Sequence, residues 1–186
     1  MLGTALTIKI PRAFEGGTIH DAFHGTNAGD AASIMRVGFR RGLKTHMFGP
    51  GVYFFEGDYK AALCWAQGDA ANGEDIAVVR SAVELGRTLY VNLLKYALGR
   101  LSRRLSERLG RHVGLDEAYA VLVTKLLRSN MIDSIKAVRV IRTERAEDMP
   151  QSLRAEVVVV ALNAEQARPL EQLSEQDLGP SGQLRF

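Results

Sequence analysis

Along this chain the apolar positions keep two rhythms, and each rhythm predicts a different element. From Thr4 to Ile10 (TALTIKI) polar and apolar residues alternate, the two-residue period of a half-buried strand. Glu15-Gly16-Gly17 reads as a turn, and Ile19 to His24 as a short second strand. Asp30 is placed to cap a helix running to about Arg36, with Gly38 suited to the left-handed position beyond it. Gly42 to Gly51 (GLKTHMFGPG) reads as loop, and Val52 to Phe55 as an aromatic strand. Asp58 then precedes a helical run, YKAALCWAQGDAA. Ile76 to Val83 predicts a strand, Gly86 a turn, and Thr88 to Asn92 a further strand.

The period then lengthens. Leu94, Leu98, Leu101, Leu105 and Leu109 recur three or four apart, which predicts an amphipathic helix over 94–109. Asp116 to Arg128 (DEAYAVLVTKLLR) predicts a second helix, acidic at its start and basic at its end as the helix dipole favours. Ile135 to Ile141 returns to strand, and Thr143 to Leu153 is polar loop. Glu156 to Leu162 (EVVVVAL) is continuously apolar after its first residue, so a central strand buried on both faces is expected, with Glu156 at its mouth. The fold class is α+β: one domain over 1–174 with a helical insert at about 93–131, and a flexible tail over 175–186.

Composition narrows the picture. With 186 residues, 46% of them hydrophobic, the chain suits one domain with a full core. No stretch reaches the roughly 18 apolar residues of a membrane helix, so no membrane association is expected. The start, MLGTALTIKIPRAF, reads as strand and not as a signal peptide, which points to a cytoplasmic protein or one delivered into a target cell by another route. The lone Cys64 excludes an internal disulfide and argues against a zinc site; it is expected to be a small buried residue. The net charge of +3 is unevenly spread, because Lys95 to His112 carries six Lys and Arg residues against Glu107 alone.

Three segments hold chemistry, each weak by itself. Phe23-His24-Gly25-Thr26 ends a strand just before a helix; Gly49-Pro50-Gly51-Val52-Tyr53-Phe54 pairs close-approach glycines with an aromatic; Glu156 is a carboxylate opening an apolar strand. A strand-end histidine is more often structural, a Gly-Pro-Gly more often a turn, and a strand-end glutamate more often solvated. Taken in order, with HGTNAGDAASIMRVGFRRG, MFGPGVYFFEGDYKAALCWA, DIAVVRSAVELGRTLYV, IDSIKAV and AEVVVVALNAEQARPLEQL between and around them, they resemble the ADP-ribosyltransferase superfamily. The likeness is to the His-Tyr-Glu branch of diphtheria toxin and the poly-ADP-ribose polymerases, and covers about two-thirds of the chain.

The resemblance implies a split β-sheet sandwich with peripheral helices, NAD as substrate and no metal. It implies that Gly25 offers backbone hydrogen bonds to the nicotinamide amide, that Tyr53 stacks on the nicotinamide ring, and that His24 bonds the adenosine-side ribose. Glu156 would bond the nicotinamide-side ribose and stabilise the oxocarbenium-like transition state, a task that suits a carboxylate. Thr26 would bond the adenosine side or satisfy the turn. Where relatives carry a serine and a second stacking tyrosine, this chain has Ala61 and Cys64, so Trp65 is expected to take over the stacking. Glu147 and Glu165 are alternatives to Glu156, and His20 and His46 lie near the pocket in sequence.

The function implied is mono-ADP-ribosyl transfer to a nucleic acid or protein, in a toxin, effector or defence enzyme that an antitoxin or immunity protein would accompany. NAD hydrolysis by a near-identical site is the second reading; RNA 2′-phosphotransfer, by a relative of the same fold, is a third, although its arginine pattern is not found around His-Gly-Thr; an inactive module that binds nucleic acid or protein is the last. Arg100, Arg104, Arg108 and Arg111 share one face of the predicted insert helix, with Arg103 beside it. They are either a solvated surface or the acceptor-binding face, on an insert that the resemblance does not cover.

Overall fold

The computed structural model describes residues 14–40, 48–69, 74–143 and 152–174. Among them the chain forms strands β1 (Phe14–Asn27), β2 (Val52–Glu56), β3 (Ile76–Tyr90), β4 (Ser134–Thr143), β5 (Ser152–Ala161) and β6 (Ala167–Leu173), with helices α1 (Ala28–Val37), α2 (Tyr59–Asp69), α3 (Lys95–Leu109) and α4 (Leu115–Arg128). This is an α+β arrangement. The strands order as β1-β2-β5-β4-β3-β6, and a further β1–β3 pairing joins the first strand to the fifth, so five of them run in a ring.

β3 makes the ring possible. One edge of it follows β1 from Ile76 to Thr88, while the other pairs with β6 over Val78–Val83 and then with β4 over Thr88–Tyr90. The exchange of partners happens at Gly86, whose φ of +54° kinks the strand. The turn expected at Gly86 is therefore a bend inside one continuous strand. There the Asp133 carboxylate accepts from the Arg87 backbone N–H and from its guanidinium. Glu15-Gly16-Gly17 is likewise no turn but part of β1, its backbone paired to β3 with Gly16 opposite Gly86.

β5 lies between β2 and β4, which explains its apolar run. Val158 and Val160 face a cluster with Phe23, Phe55, Ile135 and buried side chains of α2, α3 and α4; Val159 and Ala161 face a second cluster with Phe54, Phe39, Val79 and Ala31. The helical hairpin is thus part of the core. Leu98 and Leu101 of α3 and Leu122 and Leu126 of α4 are buried, and truncating any of them to Ala would cost about 2–5 kcal/mol.

Several local expectations need correction. Asn27, not Asp30, caps α1: its side chain accepts from the Asp30 backbone N–H at 2.7 Å, and Asp30 sits in the first turn, where its charge suits the dipole. Asp58 does cap α2, accepting from Ala61 N–H at 2.9 Å. β6 was not foreseen; it carries Pro169, which an edge strand tolerates. Glu156 does not stand at a strand mouth but midway along β5, opposite Arg139. Cys64 is exposed. The Thr4–Ile10 strand, His46, Glu147 and the 175–186 tail lie outside the described residues. Among those described, no helix is long and apolar enough to cross a membrane.

Candidate functional site

β1 and β2 pair at Ala22↔Glu56 and Phe23↔Phe55, and their ladder stops there. Beyond it β1 continues along β3 to Asn27, so among the described residues its other edge, from His24 onward, has no strand beside it. A cleft of about 520 Å³ opens at this split, within the range of small-molecule sites. His24, Gly25, Thr26, Tyr53 and Trp65 all line it. Five of the residues singled out in the sequence, from three separate segments, therefore meet in one place.

The His24 side chain spans the split. Its Nδ1 lies 2.8 Å from the Tyr53 carbonyl oxygen, and since a carbonyl can only accept, Nδ1 carries the proton. The ring packs edge-on against Phe39 and is tilted against Phe54. Burial pushes its pKa below the usual 6.5, outweighing the Tyr53 carbonyl and the Asp30 charge, which pull it up. A neutral imidazole with Nδ1 protonated leaves Nε2 as an acceptor, which suits a ribose hydroxyl.

Tyr53 is fixed by its own loop. Its hydroxyl donates to Gly49 O at 2.6 Å and accepts from Phe48 N–H at 3.1 Å. Both bonds turn the hydroxyl away from ligand chemistry and leave the ring as the part on offer. Burial raises its pKa to about 12, against the lowering effect of the Phe48 N–H. Gly51 is required by close approach, because a Cβ there would lie 2.5 Å from Val160 Cγ1 and 2.6 Å from Ala161 O. Gly25 is required more strongly: its Cβ would fall 1.9 Å from the Ala62 carbonyl oxygen of α2. The glycine of His-Gly-Thr thus has a packing reason as well as any ligand reason.

Trp65, on α2, is 38% exposed and lines the cleft. It is not a core tryptophan. Ala61, on the same helix, is buried.

Glu156 stands differently. It is 4% exposed, is not among the residues lining the cleft, and accepts on Oε2 from both Arg139 Nε (2.8 Å) and Nη2 (2.7 Å). The Arg139 guanidinium in turn lies 5.7 Å from the ring centroids of both Phe55 and Trp65. Glu156 reaches the cleft wall through that cation. Arg139 was missed in the sequence, although a lone arginine in IKAVRV alternating with apolar residues was its visible signal. Arg40 was also missed; it is the one Lys or Arg among the described residues that line the cleft, which Asp30, Asp69 and Glu74 line as well. Of the alternatives, His20 and Glu165 are exposed and neither lines the cleft.

The insert touches this site. Tyr119 of α4 donates to Phe48 O at 3.1 Å, beside the Phe48 N–H that holds Tyr53. Burial, with Tyr53 nearby, pushes the Tyr119 pKa up. The insert, which the family resemblance leaves uncovered in sequence, thus contacts the segment that holds Tyr53. Of the insert arginines, Arg111 is bound to Glu117 through both Nη atoms, while Arg100, Arg103, Arg104 and Arg108 are exposed. Among the described residues no group of three His, Cys, Asp or Glu side chains could hold a metal ion. Compared with known proteins, the chain matches no protein-family model and no curated protein.

Proposed function

We propose that the chain is an NAD-dependent mono-ADP-ribosyltransferase with the ADP-ribosyltransferase fold. The observation that carries this reading is the convergence of His24, Gly25, Thr26, Tyr53 and Trp65, from three separate segments, on one cleft of about 520 Å³. The unpaired edge of β1 at Gly25 offers backbone groups to the nicotinamide amide. The Tyr53 ring and the Trp65 ring, both lining the cleft, offer stacking surface. His24 Nε2 accepts from a ribose hydroxyl, and Arg40 answers the donor diphosphate.

In the reaction the bond between nicotinamide and ribose C1″ breaks, and its electron pair leaves with the neutral nicotinamide. The acceptor heteroatom bonds C1″ and gives up its proton to solvent water. On this reading Glu156, which does not line the cleft in the structure described, comes to face the ribose once the donor is bound and places negative charge against the oxocarbenium character that develops between these events. Arg139 holds one oxygen of that carboxylate and so sets the direction of the other. Arg139 is a positioning residue in this scheme, since it acts through Glu156.

The test is incubation of the pure protein with NAD labelled on its adenylate half, alone and with RNA, DNA or protein fractions, following nicotinamide release and incorporated label separately. Label should enter one fraction, and Glu156→Gln should lower the rate by about two to four orders of magnitude, the loss of a few kcal/mol of transition-state stabilisation. Nicotinamide release with no label in any fraction would instead mean NAD hydrolysis. Absence of both nicotinamide release and calorimetric NAD binding would sink the reading.

A further inference from the structure

α3 turns two unlike faces outward and inward. Leu98 and Leu101 are buried, while on the opposite side Tyr96, Arg100 and Arg103 follow one another at i, i+4 and i+7, with Arg104 and Arg108 flanking and Glu107 as the one acidic residue in the row. Tyr96 is 85% exposed, and among the described residues Arg100, Arg103 and Arg108 make no ion pair. Nothing in the fold asks for an aromatic ring at Tyr96. A solitary exposed apolar residue needs no explanation. A ring that starts a row of guanidinium groups, each about one helical turn (5.4 Å) further on, is a different matter.

We infer that this row binds single-stranded nucleic acid: an unpaired base stacks on Tyr96, and successive phosphates meet Arg100, Arg103 and Arg104. A base offers its face to a ring wherever it is unpaired, whatever its identity, and a guanidinium fork matches a phosphate. A duplex would supply the phosphates and leave Tyr96 unused, because its base faces are stacked away. An acidic protein would supply the charge and also leave the ring unused. Single strands use both halves of the row.

The row also begins close to the candidate site. α3 follows a turn, Val91–Leu94, in which the Asn92 side chain donates to Val138 O (2.9 Å) and accepts from Val138 N–H (2.7 Å). Val138 precedes Arg139, the residue that holds Glu156. Tyr96 is four residues beyond Asn92, a reach of at most about 14 Å. A strand lying on the row therefore has one end near the β4–β5 pair that carries Glu156. Its use as the acceptor rests on the transferase reading; its binding does not.

The experiment is fluorescence anisotropy, without NAD, of labelled single strands of about 12 nucleotides, as RNA and as DNA, at several salt concentrations. Wild-type protein should bind, with affinity falling as salt rises. Tyr96→Ala should weaken binding by about 5- to 150-fold, and Tyr96→Trp should restore it. Arg100→Gln with Arg103→Gln should flatten the slope of log K against log salt by about 1.4, or about 0.7 for each phosphate no longer neutralised. A blunt duplex of the same length and a poly-glutamate chain serve as competitors and should displace the single strand poorly. No binding, or binding indifferent to Tyr96→Ala, overturns the proposal, as does equal competition by duplex or poly-glutamate. Because NAD is absent, failure here leaves the transferase reading standing, and failure of NAD cleavage leaves this one standing.

Discussion

The two ends of the candidate site are built by opposite means. Around His24 and Tyr53 the side chains are held by the main chain: His24 by the Tyr53 carbonyl, the Tyr53 hydroxyl by Gly49 and Phe48. Three of the four groups involved lie within six residues of one another. At the other end, Glu156 is held by a side chain from the neighbouring strand, and that side chain rests near two aromatic rings from two further elements. One end is set by backbone that the turn and strand fix in any case. The other depends on a single charge finding its partner, with the carboxylate 4% exposed. If the proposed function holds, a site built this way should be robust where it grips NAD and sensitive where it handles developing charge.

The largest way to break that contrast is at Arg139. Arg139→Met keeps the length and apolar stem of the side chain but leaves the Glu156 carboxylate buried and uncompensated. Breaking a buried pair costs about 3–5 kcal/mol, and the lower part of that range fits here because the Arg139 side chain is 26% exposed. Chemical melts should show this loss, and Arg139→Met combined with Glu156→Gln should recover a large part of it, giving a clear coupling energy in the double-mutant cycle. If the two single losses simply add, the ion pair is not what sets Glu156, and the two ends of the site are less different than they look.

The donor end should lose less from a comparable change. Tyr53→Ala removes the stacking surface and should raise KM for NAD roughly tenfold while lowering kcat little, the pattern of lost uniform binding. Tyr53→Phe keeps the ring and drops only the bonds to Gly49 and Phe48, so it should retain most of that affinity and lose about 0.5–1.5 kcal/mol of stability. Calorimetry showing unchanged NAD affinity for Tyr53→Ala would remove the ring from the proposed role.

The same contrast decides what could be read from the sequence. His24, Gly25, Thr26 and Tyr53 sit in short motifs whose geometry is local, and all of them line one cleft. The apolar run of β5 announced a central strand because burial on both faces leaves no room for alternation. Arg139 was invisible as a partner because it lies 17 positions from Glu156 and the pairing depends on the β4–β5 register, which no spacing rule supplies. Gly86 and Gly16 misled for a related reason: glycine marks a backbone that must bend or approach closely, and only the tertiary partner shows whether the chain turns back or passes on. The arginines of α3 were legible as a face, but Tyr96 was not, since exposure is not a property of the residue type.

The smallest effect expected is a slope of stability with pH, carried at the His24 and Tyr53 end of the site by those two side chains. Burial holds the His24 pKa below the 6.5 of the unfolded chain. Between those two values the unfolded state binds more protons, so stability falls as the solution is acidified. The stability is fully present above pH 6.5, declines below it, and is lost as pH passes through the lowered native value. Tyr53 acts at the other limit: its pKa is raised from 10.0 to about 12, so the unfolded tyrosine loses its proton first and stability declines as pH rises from 10 through 12. Urea melts from about pH 5 to pH 8 should therefore be steeper for wild type than for His24→Gln, which keeps a polar side chain but no titration in this range. If His24→Gln follows the wild-type curve throughout, the imidazole is not held in its neutral form by burial, and Nε2 loses its claim to accept from the ribose.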